Sequence, residues 1–218
     1  MPASERDIAD RARLKRLLSR ERALWRRGVR HVAGVDEAGL GPLAGPVVAA
    51  AVILPPGRGI PGADDSKKLT ALQRASRDVE IRTHAVAVGI GLADVEEIAR
   101  INIYQAGLLA MRRALDDLAV SPEMVLLDAR LLPDLPWPQE ALIRGDAQIH
   151  CVACASIVAK VFRDRLMEEY DRLYPGYGFA RHKGYATAAH RSAVADRGPC
   201  PIHRRGFRGA GTQPDLFA

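Results

Sequence analysis

At 218 residues, with 48% hydrophobic and 27% charged residues, the chain suits one globular domain with a sizeable core and room for short appendages. Its net charge of +6 favours a polyanionic partner. A charged start without a signal-peptide pattern, no apolar run long enough to span a bilayer and only three cysteines lead us to expect a cytoplasmic protein in a reducing compartment.

Residues 4–27 are predicted to form a charged amphipathic helix. Ser4 caps it with Asp7 three residues on, Leu14, Leu17, Leu18, Leu24 and Trp25 recur at helical spacing, and Gly28 is a natural stop. The opposite face carries Arg11, Arg13, Lys15, Arg16, Arg20, Arg22, Arg26 and Arg27, which suits either contact with nucleic acid or a solvated helix packed on the domain. Apolar, β-rich runs follow at 31–36, 46–54 and 84–92, with a Pro55-Pro56-Gly57 loop and a short helix at 69–82 between the last two. A longer helix is expected over 94–118, a fourth strand over 123–128, a proline-rich loop at 133–138 and a short fifth strand at 141–143. Helices over 151–172 and about 186–196 complete the pattern. Three sequential strands followed by alternating strand and helix imply an α/β fold, a mixed sheet with helices packed on it. We divide the chain into a basic helical extension (1–28), a main domain (29–208) and a flexible tail (209–218).

The richest stretch runs from Gly34 to Pro46. Asp36 and Glu37 close the apolar run Val32-Ala33-Gly34-Val35, and a turn containing Gly39, Gly41 and Gly45 follows at once. Adjacent strand residues point to opposite faces, so both acids reach one site only if the backbone bends there. Carboxylates beside glycine-exposed N–H groups suit a divalent metal and a phosphate ester. Asp128 closes a second apolar strand, and Asp146 follows the fifth strand in Arg144-Gly145-Asp146. Sheets of this kind gather ligands at strand ends, so these four acids are expected to converge on hard cations such as Mg²⁺ or Mn²⁺. A second constellation is basic and hydroxylic. Ser156, Lys160 and Asp164 share a helical face with Arg163 adjacent, Ser66, Lys67 and Lys68 form a compact cluster, and Arg181 to Tyr185 forms another. Such groups position a duplex through its phosphates, and Tyr185 offers a ring for stacking. Cys151-x-x-Cys154 and Cys200-x-x-His203 have zinc-like spacing, but Cys151 and Cys154 lie in an Ala/Val-rich helix and read as core fillers.

Taken together the chain resembles the bacterial ribonuclease HII (type 2 ribonuclease H) family over roughly residues 31–208. The resemblance rests on Val35-Asp36-Glu37-Ala38-Gly39-x-Gly41-Pro42, Asp65-Ser66-Lys67-Lys68-Leu69, Val125-Leu126-Leu127-Asp128, Gly145-Asp146, Ala155-Ser156-Ile157-x-Ala159-Lys160-Val161-x-Arg163-Asp164 and Tyr177-Gly178-Phe179-Ala180-x-His182-Lys183-Gly184-Tyr185, in that order. It implies a ribonuclease H-like fold with a five-stranded mixed sheet flanked by helices. It also implies an endonuclease that cleaves RNA paired to DNA and incises at single ribonucleotides in duplex DNA, leaving 5′-phosphate and 3′-hydroxyl ends. Two Mg²⁺ or Mn²⁺ ions would be held by Asp36, Glu37, Asp128 and Asp146, with Asp36 bridging. Gly39 and Gly41 match the glycines of a Gly-Arg-Gly motif that recognises the ribose 2′-hydroxyl, and Tyr185 matches a tyrosine that senses the RNA-to-DNA junction. Ser66, Lys67, Ser156, Lys160 and Lys183 are expected substrate contacts.

Leu40 departs from that motif by replacing the arginine. If the arginine binds phosphate, leucine removes about 1–3 kcal/mol of charge-assisted hydrogen bonding, giving weaker substrate binding with preserved cleavage. Two rivals are a non-catalytic hybrid-binding protein of this fold and a nuclease acting on DNA alone. Finally, Gln213-Pro214-Asp215-Leu216-Phe217 resembles the Gln-x-x-Leu-Phe peptides that dock on the sliding clamp, with Gln213, Leu216 and Phe217 as anchors.

Overall fold

Short runs of small and β-branched residues pair into one five-stranded sheet of order β3-β2-β1-β4-β5 in a computed structural model that describes residues 5–210. The strands are β1 (Val32–Ala38), β2 (Val47–Ile53), β3 (Ala87–Ala93), β4 (Met124–Asp128) and β5 (Gln139–Leu142). The first three form an antiparallel meander, and β4 and β5 join β1 in parallel. The sheet is mixed, as expected.

Helices cover both faces. The helix α4 (Val95–Asp116) packs across β3, β2 and β1, and the cluster between them includes Val35, Ala49, Met111 and Leu127. The other face carries α5 (His150–Leu173) and α3 (Ala71–His84), packed through Ala50, Val52, Ile81, Ala155 and Val158. Alanines and glycines on the strands let α5 come close. A Cβ on Gly34 would overlap the backbone of Cys151 and Val152, so this position has no room for a side chain. Two short helices follow: α6 (Phe179–His182), packed on α5, and α7 (Ala188–Arg197).

Three boundaries differ from the expectation. The N-terminal helix is interrupted at Leu18 into α1 (Glu5–Leu17) and α2 (Ser19–Arg26), although backbone bonds from Leu18 N to Leu14 O and from Arg22 N to Leu18 O carry the helical path across the step. Leu17 and Leu18 are both buried, and Leu24 packs on Val32, Leu126 and Val152, so the extension is docked on the sheet. Part of its basic face is paired to the domain, Arg13 with Asp64 and Arg20 with Glu140. The fifth strand begins at Gln139, where parallel pairing to Val125 and the Gln139 amide, bonded to Leu132 N and O, override weak local propensity. The long helix α4 is broken at Asn102 (φ 67°, ψ 165°), whose Oδ1 accepts from Tyr104 N and Gln105 N and so caps the second segment. The proposed Ser4 cap and the tail residues Gln213, Leu216 and Phe217 lie outside the described residues.

Candidate active site

Parallel pairing of β1 and β4 puts their C-terminal ends side by side, with Val35 opposite Leu127, so Asp36 and Asp128 become neighbours. Asp146 arrives on the turn Gly145–Ala147 that precedes α5, and the Gly145 N–H donates to Asp128 Oδ1 at 2.6 Å. The strand does not bend between Asp36 and Glu37. Both remain in register with β2, opposite Ala50 and Ala49, and the turn comes only after Ala38. The two carboxylates therefore straddle the sheet: Asp36 meets α5 at Ser156, and Glu37 faces α4 and Arg130. That splay explains why, among the described residues, no three His, Cys, Asp or Glu side chains form a ready-made metal cage.

The acids nevertheless share one electrostatic neighbourhood. Burial raises the Asp36 pKa well above the usual carboxylate range, and the Glu37 and Asp128 charges raise it further, against a hydrogen bond from Ser156. Burial also raises Glu37, with Arg130 pulling it down and Asp128 pushing it up. Asp146 is raised by burial, then by Asp65 and Asp128, with Lys67 opposing. Asp128 thus acts on each of the other three. Asp65, whose charge reaches Asp146, is a fifth acid that sequence reasoning had not placed at the site.

The basic and hydroxylic residues divide into those at the acids and those at the rim. Burial disfavours the Lys67 ammonium, but Asp146, Asp65, Asp36 and Asp128 together hold its pKa above the usual lysine value. The hydroxyls of Ser66 and Ser156 hydrogen-bond at 2.8 Å, and both residues are 5% exposed, so they lie beneath the site rather than on its surface. Lys160 pairs with Asp164 at 2.6 Å, and its Nζ is 5.8 Å from the centre of the Tyr185 ring. Lys183 is held by Glu168 at 2.6 Å. The exposed Tyr185 ring stands 4.0 Å from where a Cβ on Gly41 would sit, so the tyrosine and the glycine turn do come together.

That turn is braced by two buried arginines. Arg163 on α5 donates at 3.0 Å to Pro46 O, Ala44 O and Lys183 O. Arg204, near the end of the described chain, donates to Gly39 O at 2.6 Å, Gly45 O at 2.8 Å, Pro42 O at 2.9 Å and Leu40 O at 3.0 Å. Both guanidiniums are fully buried and find carbonyl dipoles instead of carboxylates, and burial brings the Arg204 pKa down to about 9. Gly39, at φ 100°, must be glycine twice over, since a Cβ would also strike the Arg163 side chain. In a trans peptide the N–H points away from the C=O, so carbonyls of Gly39 and Leu40 turned inward leave the N–H groups of Leu40 and Gly41 directed outward. The Leu40 side chain folds onto the α4 cluster with its Cδ2 beside Gly107, away from the turn's outward edge. Arg204 carries no local sequence signal that marks it as buried, whereas Arg130 stands only two residues after Asp128.

The zinc-like pairs are separate in the fold. Cys151 and Cys154 are buried in α5 near its start, and Cys200 packs with His203, Phe179 and Met167.

The sheet order, the helices on both faces and the acids at the ends of β1 and β4 define a ribonuclease H-like fold. Among solved structures, the ribonuclease H2 of Pyrococcus horikoshii OT3 superposes with a TM-score of 0.68 at 28% identity, covering 82% of this chain and 94% of that one. The family model described as Ribonuclease HII matches residues 33–210. Curated relatives of that name include one from Myxococcus xanthus, 53% identical over 93% of this chain and 70% of its own length. Another, from Geobacter sulfurreducens, is 56% identical over 84% of this chain and 85% of its own length. The chain belongs to the ribonuclease HII family and is a nuclease of the ribonuclease H type.

Proposed function

We propose that this nuclease hydrolyses the RNA strand of RNA/DNA hybrids and incises duplex DNA at a single embedded ribonucleotide, leaving 5′-phosphate and 3′-hydroxyl ends. The observation that carries this reading is the arginine-braced turn beside the acids. With the carbonyls of Gly39 and Leu40 held by Arg204, the N–H groups of Leu40 and Gly41 face outward, and Gly41 stands next to Tyr185, a setting suited to reading a ribose 2′-hydroxyl, the group that separates RNA from DNA.

Asp36, Glu37, Asp128 and Asp146 are the residues we assign to metal. The set is all oxygen, which suits Mg²⁺ or Mn²⁺, and Glu37 Oε2 is buried without a hydrogen-bond partner, an acceptor a cation would satisfy. Bound there, two such ions would supply an activated water and charge stabilisation for the leaving oxygen. The protein's own part is positioning. The Gly145 N–H orients Asp128, the Glu37 N–H orients Asp36 at 2.7 Å, and Lys67 offsets the like charges. Lys160, Lys183 and Tyr185 hold the duplex, so affinity falls with added salt.

The test is an end-labelled DNA duplex carrying one ribonucleotide, incubated with Mg²⁺, Mn²⁺ or EDTA beside an all-DNA duplex. Metal-dependent incision 5′ of the ribonucleotide, absent from the all-DNA control, is expected. Tight hybrid binding without product would instead support a non-catalytic role, and equal cleavage of all-DNA duplex would support a DNA nuclease. We further propose that Gln213, Leu216 and Phe217 dock on the sliding clamp. Leu216→Ala with Phe217→Ala should abolish clamp pull-down and leave cleavage intact, and equal pull-down by both proteins would reject this.

A further inference from the structure

Arg130 stands at the rim of the acids with a guanidinium engaged by no hydrogen bond among the described residues. Its neighbours show what the fold does with an arginine it uses structurally: Arg163 and Arg204 spend their N–H groups on carbonyls, and Arg112 donates to Pro133 O and Asp134 O at 2.7 and 2.9 Å. Arg130 instead is positioned by non-directional contacts. Its guanidinium lies 4.9 Å from the centre of the Tyr104 ring, and its Nη1 is 3.9 Å from Glu37 Oε1, buried and without a hydrogen-bond partner. The side chain is 28% exposed, so its remaining donors open on the surface beside the site.

Two backbone irregularities converge to hold it there. Ala129 takes the left-handed conformation at φ 57°, uncommon for alanine, which turns the chain sharply after Asp128 and lets Arg130 N donate to Asp128 O at 2.7 Å. The break of α4 at Asn102 brings Tyr104 under the guanidinium. Arg130 Nη1 and Leu40 Cδ2 also flank the same point, at 3.5 and 3.2 Å from where a Cβ on Gly107 would sit, so the cation stands at the side of the glycine turn as well as beside Glu37.

We infer that Arg130 is a substrate-positioning residue that takes a backbone phosphate of the duplex through the free edge of its guanidinium. A planar cation with unused donors, stacked on an aromatic ring and tethered to a carboxylate, is pre-organised for two parallel bonds to non-bridging phosphate oxygens. This inference rests on the nuclease reading of the same site.

The experiment compares wild type, Arg130→Gln and Arg130→Lys on the single-ribonucleotide duplex, with KM in Mn²⁺ across a salt series and binding of the fluorescent duplex in Ca²⁺. We expect Arg130→Gln to weaken KM and Kd about tenfold with kcat little changed. The slope of log affinity against log salt should fall by about one. Lysine should keep the slope and recover part of the affinity. In a Leu40→Arg background, where a second guanidinium stands by Gly107, the Arg130→Gln loss should shrink. Unchanged KM, Kd and slope, with a lower half-saturating Mn²⁺, would overturn the inference and leave Arg130 as a counter-ion to Glu37. Absence of cleavage by wild type would count against the nuclease reading alone, because the Ca²⁺ binding series still reports on Arg130.

Discussion

Replacing Arg204 by lysine tests whether the glycine turn is held by its arginine brace. The guanidinium makes four bonds of 2.6 to 3.0 Å to the carbonyls of Gly39, Leu40, Pro42 and Gly45. An ammonium has three donors on a single nitrogen and cannot span carbonyls spread along seven residues. At least one buried carbonyl is left without its partner, and each such loss costs about 1–3 kcal/mol. We therefore expect Arg204→Lys to lower the unfolding free energy by about 2–4 kcal/mol, a large share of the stability of an ordinary domain. Urea unfolding measures this at unchanged slope, and cleavage of the one-ribonucleotide duplex measures its consequence. If the outward N–H groups read the ribose, kcat/KM falls for the ribonucleotide duplex even at low temperature, where the variant remains folded. Arg58→Lys, at an exposed position with no side-chain hydrogen bond among the described residues, should stay within about 0.5 kcal/mol of wild type. A stability change below that size for Arg204→Lys, with unaltered kcat/KM, would refute the brace.

Three further outcomes follow from the buried charges. Asp128 raises Asp36, Glu37 and Asp146, so Asp128→Asn, which can still accept from Gly145 N, should stabilise the metal-free protein by about 1 kcal/mol, or 2–4 °C in Tm, while losing stabilisation by Mn²⁺; a lower metal-free Tm would contradict the repulsion. Glu21 is buried at the start of α5, accepts from Cys151 N at 2.8 Å, and has its pKa raised by burial from 4.5 to about 7. A raised acid favours folding below its unfolded pKa and loses that contribution as pH climbs through 7. Glu21→Gln should therefore be more stable than wild type by about 2–3 kcal/mol at pH 8 and similar to it at pH 4, read by urea unfolding. Burial depresses His203, whose Nε2 lies 3.1 Å from that of His190, to about 4. Its contribution is present above pH 6.5 and lost as pH falls toward 4, about 2 kcal/mol by pH 5, so His203→Gln should flatten that part of the acid limb.

The sheet and its covering helices were legible because their signals are local: apolar runs ending in Asp36 and Asp128, and helical spacing across α5. What was hidden depends on tertiary geometry. Asp36 and Glu37 share a neighbourhood without a bend, because Asp128 on the adjoining strand and Arg130 beyond it meet them from the two faces. Ser66 and Ser156, expected as substrate contacts, are buried against each other, a pairing ninety residues apart in the chain. The break at Asn102 was obscured by apolar spacing that continues on both sides. Arg204 has no place in the sequence reading, since nothing local distinguishes a buried guanidinium from a solvated one.

The most direct test of the account is metal-dependent cleavage of a uniform RNA/DNA hybrid by wild type and by Asp36→Asn, with both shown to be folded by urea titration. Wild type should cleave the RNA strand in Mg²⁺ or Mn²⁺ and not in EDTA, and Asp36→Asn should cleave only at background despite retained hybrid binding. Full activity in the Asp36→Asn protein, or cleavage that survives EDTA, would contradict the assignment of the site.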